Sequence, residues 1–114
     1  MATQKRRNED PSDEQIADGV ELLKLLADPT RLRILWALLH SEHSVNELAD
    51  HVGAQPAAVS QHLAKLRLAR VVTTRREGTR IFYATKNPHI RRVVEEALTA
   101  TDDDPRGIQS AATG

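Results

Sequence analysis

The 114-residue sequence predicts a mainly α-helical domain that carries one β-hairpin. Three observations lead to this prediction. Apolar residues recur at helical spacing in successive segments, and most of these segments open with a capping signal. After Arg70 the pattern changes to the alternation typical of strands, and after Asn87-Pro88 the helical spacing returns. The predicted order is therefore four helices, a hairpin and a last helix.

Recognisable caps open the first two helices. Ser12 with Gln15 forms a capping box, and the apolar stripe behind it predicts a helix over residues 13–27. Asp28-Pro29 supplies an N-cap and a proline at the first helical position, so a second helix is predicted over residues 29–40. The stripes consist of Ile16, Val20, Leu23 and Leu26 in the first helix, and of Leu32, Leu35, Leu38 and Leu39 in the second.

The third and fourth helices are short and are separated by a glycine. Ser44 and Glu47 form a second capping box, and Gly53 ends the third helix. Gln55-Pro56 opens the fourth helix, which completes a helix-turn-helix. The inner face of this fourth helix has Val59, Leu63 and Leu66, and its outer face has Ala57, Gln61, Ala64 and Lys65.

The hairpin and the last helix complete the domain. The runs VVTTRR and TRIFYAT are rich in β-branched and aromatic residues, and they flank a tight turn predicted at Glu77-Gly78. Asn87-Pro88 then opens a helix over residues 88–100. A basic hairpin directly after a helix-turn-helix is the layout of a winged helix-turn-helix, with the order α-α-α-α-β-β-α.

Composition excludes several classes of protein. The chain has no cysteine, so a disulfide framework and a thiolate metal site are both excluded. Because it shows neither a long apolar run nor the apolar core of a signal peptide, we expect a cytoplasmic protein without a membrane partner. Residues 1–11 are predicted to be a disordered basic tail and residues 102–114 a disordered acidic tail, leaving one domain over residues 12–101.

The net charge of zero conceals a segregation of charge along the chain. Residues 60–92 contain nine basic residues and one acid, a net charge of +8, and the rest of the chain therefore carries −8. A local field of this size can attract nucleic-acid phosphate. A solvated basic face without any partner is the alternative.

Several motifs together resemble one family. The stretches LADPTRLRIL, SVNELADHVGAQPAAVSQHLAKLRLARVV, REGTRIFYAT and NPHIRRVVEEAL, within residues 21–99, resemble the ArsR/SmtB family of dimeric winged-helix transcription regulators. Within the family, the chain is most similar to the branch that senses nickel and cobalt. The resemblance implies a sequence-specific DNA-binding regulator that binds a palindromic operator as a homodimer. It also implies a response to nickel, cobalt or zinc.

The recognition helix of such a protein enters the major groove with its N-terminal half. Ser60 and Gln61 are expected to contact bases, because short polar side chains can reach base edges there. His62 lies nearer the core border, so a packing role and a base contact both stay open. Ala57 would allow close approach, Lys65 would meet phosphate, and the wing would add phosphate contacts from Arg75, Arg76, Thr79 and Arg80.

An alternative role for Arg80 is a cross-strand contact that supports the hairpin. The resemblance assigns the dimer interface to the first and last helices. Its expected residues are Ile16, Val20 and Leu23 on the first helix and Ile90, Val93, Val94, Ala97 and Leu98 on the last, although some of them must also fill each monomer's core.

The metal sites of the family are only partly matched. The site on the third helix would need cysteines where this chain reads SVNELAD, so it is absent. In the site that joins the last helices, His89 is kept, and Asp102 and Asp103 could supply carboxylates. A solvated histidine and an acidic tail that bind no metal are the alternative. His40 and His43, with Glu42 between them, are a second candidate.

Two other functions are considered. The chain could be a winged-helix protein-interaction module, or a co-regulator that needs an accessory protein and has no metal signal. An enzyme is not predicted, because the sequence has no Ser/His/Asp set, phosphate-binding loop or HExxH motif.

Overall fold

The computed structural model describes residues 10–102, and its elements follow the predicted order. The tails predicted over residues 1–11 and 102–114 lie almost entirely outside this range. The helices are α1 (Asp13–Leu26), α2 (Pro29–His40), α3 (Val45–Val52), α4 (Pro56–Leu68) and α5 (Pro88–Thr99), and the strands are β1 (Thr73–Glu77) and β2 (Arg80–Ala84). A short 3-10 turn, Ala100–Asp102, follows α5.

Local capping determines where the helices begin. Both predicted capping boxes form: the Ser12 hydroxyl accepts from the Gln15 N–H at 3.0 Å, and the Ser44 hydroxyl accepts from the Glu47 N–H at 3.3 Å. Gly53 ends α3 with φ 70°, in the left-handed region that glycine tolerates. The predicted starts are therefore confirmed, whereas α1 and α5 each end one residue before the predicted position.

The hairpin turn lies one residue later than predicted. Glu77 pairs with Arg80, so the turn consists of Gly78 and Thr79 and not of Glu77 and Gly78. Gly78 has φ 64°, and glycine at the first position of a two-residue turn is typical of hairpins. Val71 and Val72 precede β1 and are buried in the core, although the sequence pattern placed them in the first strand.

The hairpin is joined to the helices through the main chain. His43, between α2 and α3, donates its N–H to the Tyr83 carbonyl at 3.1 Å and accepts from the Tyr83 N–H at 2.8 Å. β2 thereby lies between two partners, β1 on one side and His43 at Tyr83 on the other. This pairing supplies the support that a two-stranded hairpin needs.

One core is shared by α2, α3, α4 and α5. Its largest fully buried side chains are Ile34, Leu35, Leu48, Leu63, Leu66, Val59 and Val94. Two residues expected at the dimer interface, Ile90 and Val94, lie in this core instead, because they occupy the side of α5 that faces α2. An apolar stripe predicts that a face is buried, but not which surface covers it.

Helix α1 is the exception to this packing. Its side chains Ile16, Val20 and Leu23 are 53%, 44% and 61% exposed, and only Leu26 near its C-terminus is buried. Helices within residues 10–102 are all too short or too polar to cross a membrane.

Candidate nucleic-acid interface

The outer face of α4 is a polar surface on a rigid support. Val59, Leu63 and Leu66 on its inner side are fully buried against the core. Ser60 and Gln61, on the outer side, are exposed. Ala57 and Lys65 are exposed as well, so four of the five α4 residues predicted to meet DNA are accessible within the monomer.

His62, the fifth of these residues, is half-buried and points toward the N-terminus of α2. Its Nδ1 lies 3.1 Å from an Nη atom of Arg31. Since a guanidinium has only donors, Nδ1 is the acceptor in this contact. The Nε of Arg31 also donates to the Leu25 carbonyl in α1. The packing role is therefore the one the structure supports for His62.

Asp28 completes this junction between α1, α2 and α4. Its carboxylate accepts from the Arg31 N–H at 3.0 Å as the N-cap of α2. This hydrogen bond, with the charge of Arg31, lowers the pKa of Asp28 below its ordinary value. Asp28, which caps α2, thus bonds to the same Arg31 that contacts His62 of the recognition helix.

Arg75, which was predicted to contact phosphate, is held by acids within the protein. Its Nη2 donates to Glu42 Oε1 at 2.8 Å, its Nε lies 3.1 and 3.2 Å from the two Glu42 oxygens, and its Nη1 donates to Glu77 at 3.3 Å. The hydrogen bond to Glu42 raises the pKa of Arg75 and lowers that of the carboxyl group. Two carboxylates of the protein therefore bind the Arg75 guanidinium, which was expected to contact phosphate.

Arg80 is also engaged within the protein. Its Nη2 donates to Glu47 at 3.5 Å, and its guanidinium carbon lies 4.8 Å from the centre of the Phe82 ring. The Arg75 guanidinium carbon lies at the same distance from that ring. Arg80 thus supports the hairpin, but through α3 and its own strand and not by the predicted cross-strand contact.

Other basic residues around α4 keep their charge available. Within residues 10–102, Lys65 and Arg76 form no ion pair, and Thr79 is exposed at the turn of the wing. Arg67 and Arg70, which were not among the predicted contacts, line a depression beside the recognition face together with Ser60, Ala64 and Tyr83. The run of basic residues after Lys65 was the signal that could have included them.

Arg70 has an unusual backbone conformation. Its φ is 61°, and among residues 10–102 no other non-glycine residue has a positive φ. The Arg70 N–H donates to the Arg67 carbonyl, and the Val71 N–H donates to the Leu66 carbonyl. These bonds close the end of α4 at a position where glycine is usual.

The candidate metal ligands are not brought together within one chain. His89 Nδ1 lies 2.7 Å from an Nη atom of Arg92, and Asp102 lies in the 3-10 turn beyond α5, about 20 Å away by helix rise. Asp103 lies outside the described residues. Over residues 10–102 no group of three or more potential ligands is arranged to hold an ion.

The two histidines of the second candidate metal site, His40 and His43, each contact a different part of the protein. His40 Nδ1 lies 2.7 Å from the Trp36 carbonyl oxygen. His43 Nε2 lies 3.1 Å from the Ser41 hydroxyl, and the His43 ring stacks on that of His51 at 6.1 Å between centres. Each imidazole therefore has its own structural partner.

Comparison with known proteins identifies the family. Residues 28–74 match the family model described as "Bacterial regulatory protein, arsR family". The HTH-type transcriptional regulator KmtR of Mycobacterium tuberculosis is 50% identical over 96 residues, which cover 84% of this chain and 74% of KmtR.

Two solved structures agree with this match. The antimony-specific transcriptional repressor AntR aligns with a TM-score of 0.75 and 34% identity, over 83% of this chain and 86% of that one. The homodimeric winged helix-turn-helix DNA-binding domain Mb0332 of Mycobacterium bovis aligns with a TM-score of 0.70 and 28% identity, over 84% and 92%. The chain therefore belongs to the ArsR/SmtB family of winged helix-turn-helix transcriptional regulators.

Proposed function

We propose that this transcriptional regulator binds a palindromic DNA operator as a homodimer and responds to nickel, cobalt or zinc. The observation that carries the proposal is the outer face of α4, where exposed polar side chains stand on a fully buried inner face. Such a rigid, accessible helix meets the requirement for entering a major groove.

Base contacts and phosphate contacts divide between α4 and the wing. Ser60 and Gln61 contact base edges, while Ala57 allows the helix to approach closely. Lys65 and Arg76 contact phosphates, since neither charge is neutralised by an acid within residues 10–102. His62, Arg75 and Arg80 act within the protein and not on DNA.

A homodimer would cover the exposed apolar side of α1. Ile16, Val20 and Leu23 present a continuous apolar surface, and Mb0332 is homodimeric. A two-fold axis would place two recognition helices about 34 Å apart, one turn of DNA, which favours a palindromic operator. On α5, the interface residues are then Val93, Ala97 and Leu98, because Ile90 and Val94 belong to the monomer core.

The metal site is supported by the chemistry of the available ligands. His89 is exposed on the first turn of α5, and Asp102 is exposed beyond its end. Because these residues lie at opposite ends of the helix, they could share an ion only if the Asp102 and Asp103 carboxylates came from a partner chain. An imidazole with carboxylates suits nickel, cobalt or zinc, provided that Arg92 releases Nδ1 or that Nε2 binds the ion.

A mobility-shift assay on the DNA upstream of the protein's own gene tests the DNA-binding part. We expect Gln61→Ala to lower discrimination between operator and random DNA, and Arg76→Ala to weaken both alike because phosphates carry no sequence information. Equal losses on both DNAs for Gln61→Ala would refute base contact by this residue. A shift that appears only with an accessory protein would favour the co-regulator alternative.

The same assay, with a chelator or with added nickel, cobalt or zinc, tests the metal response. We expect an ion to change operator affinity in the wild type but not in His89→Ala. His40→Ala tests the second candidate pair, and we expect it to keep the response, since His40 bonds to its own helix. A full response in His89→Ala would contradict the assignment of His89.

A further inference from the structure

We propose that Glu42 and Glu47 are positioning residues for DNA binding, which anchor the wing to the helix-turn-helix by holding Arg75 and Arg80. The anchored wing then presents Arg76 to phosphate. The inference rests on the proposed DNA-binding function.

The hairpin register divides the wing arginines between two faces. Arg75 pairs directly with Phe82, and Arg80 lies two positions before Phe82 on the same strand, so these three side chains share one face. Both guanidinium carbons lie 4.8 Å from the Phe82 ring centre. Arg76 pairs with Ile81 and lies on the opposite face. The wing therefore carries Arg75 and Arg80 on one face, the anchoring face, and Arg76 on the other.

Besides Glu77 of the wing itself, two acids of the helical body, Glu42 and Glu47, meet the anchoring face. Glu42 follows α2 and is next to His43, which is hydrogen-bonded to Tyr83 of β2. Its carboxylate receives Arg75 through three N–H to oxygen contacts of 2.8 to 3.2 Å. A planar guanidinium held by two atoms has a defined orientation, which a single contact would not give.

Glu47 connects the wing to the start of α3. One of its carboxylate oxygens accepts from the Ser44 N–H at 2.9 Å, and the other accepts from Arg80 at 3.5 Å. The hydrogen bond from Ser44, with the charge of Arg80, lowers the pKa of Glu47. One carboxylate therefore serves both the helix cap and the wing anchor.

The direction in which DNA affinity changes when Glu42 or Glu47 is neutralised distinguishes a positioning role from a purely electrostatic one. Both acids lie near a DNA-binding surface, where a negative charge repels phosphate. If they acted only through charge, neutralising either would strengthen DNA binding. If they position the wing, neutralising either weakens it, because Arg76 loses its defined place.

The experiment measures operator affinity of the full-length protein by fluorescence anisotropy at several salt concentrations. We expect Glu42→Gln to weaken operator binding by about tenfold, as for the loss of a charge-assisted contact. Asp50→Asn is the matched control, because Asp50 is an exposed acid on α3 without an ion pair among residues 10–102. It should bind the operator as tightly as wild type or more tightly.

A second variant, Glu47→Gln, distinguishes a weaker wing anchor from a loss of the fold. Glu47→Gln keeps the helix cap, because glutamine serves equally well at this position of a capping box, but it removes the charge that holds Arg80. We expect unchanged circular dichroism and weaker operator binding. Arg76→Ala should then cost less affinity in the Glu42→Gln background than in wild type, an effect that a general loss of stability would not produce.

The outcomes distinguish a failure of the positioning role of Glu42 and Glu47 from a failure of the proposed DNA-binding function. Tighter binding by Glu42→Gln, Glu47→Gln and Asp50→Asn alike would show a purely electrostatic effect and overturn the positioning role. Full additivity of Glu42→Gln and Arg76→Ala would also overturn it. A wild-type protein that binds no DNA under any condition would instead refute the proposed function on which the inference rests.

Discussion

Arg70 shows how a single residue can retain an unfavourable backbone. A left-handed conformation costs a non-glycine residue about 1–2 kcal/mol, and glycine avoids this cost. The chain nevertheless has arginine there, with φ 61°, beside Arg67 in the depression next to Ser60. We infer that the charge at this position meets a DNA phosphate.

The substitution Arg70→Gly tests this inference because stability and DNA affinity should change in opposite directions. Unfolding free energy should rise by up to about 1 kcal/mol in thermal melts. Operator and random DNA should both bind more weakly, and the salt dependence should become shallower by about one phosphate contact. Lys24→Gln, on α1, should change neither quantity, and an unchanged salt dependence in Arg70→Gly would refute the contact.

At the scale of elements, the α1–α2 junction supports the recognition helix. Arg31 donates through its side chain to the Leu25 carbonyl in α1 and to His62 in α4, and through its main chain to Asp28. A helix that would be covered by a partner subunit is thus connected by one side chain to the helix that would enter DNA.

Two substitutions of His62 distinguish support from base contact. Asparagine places its acceptor near the position of Nδ1, whereas glutamine places its amide near Nε2. We expect His62→Asn to retain operator affinity and His62→Gln to lose about fivefold to tenfold, the effect of one lost hydrogen bond. The reverse order, measured by anisotropy titration, would show that Nε2 contacts a base.

At the scale of the whole molecule, α1 exposes apolar surface that its own chain does not cover. Leu23 is 61% exposed, and burial of a leucine side chain contributes about 1.5–3 kcal/mol. In a two-fold dimer each substitution acts twice. Because only the exposed part can still be buried by a partner, we expect Leu23→Gln to weaken dimerisation at least about twentyfold, measured by sedimentation equilibrium.

A matched control uses the other strongly exposed leucine. Leu68, at the end of α4, is 86% exposed and lies outside the apolar face of α1. Leu68→Gln should leave the monomer–dimer equilibrium unchanged. If Leu23→Gln also left it unchanged, α1 would not contribute to a dimer interface in the way proposed.

The sequence predicted the features that depend on neighbouring residues. Capping boxes, the glycine that ends α3 and the alternation of the hairpin are local, and the structure contains all of them. The exposed face of α4 could be predicted for the same reason. These features require only the spacing of residues along one helix or strand.

Contacts between distant residues could not be predicted in this way. Glu42 and Arg75 are separated by 33 positions, as are Arg80 and Glu47, and their pairing depends on how the wing approaches α3. The positive φ of Arg70 depends on the closing bonds at the end of α4, for which the sequence lacks the usual glycine. Ile90 and Val94 satisfied the apolar pattern equally well for core or interface.

The main-chain pairing of His43 with Tyr83 also bears on aggregation. A two-stranded hairpin has two open edges that could hydrogen-bond to a strand of another molecule. Here His43 occupies the outer side of β2 at Tyr83. The open edge of β1 is five residues long and contains Arg75, Arg76 and Glu77. Short length and charge both discourage pairing between sheets, so the wing can stay exposed in solution without promoting fibre-like association.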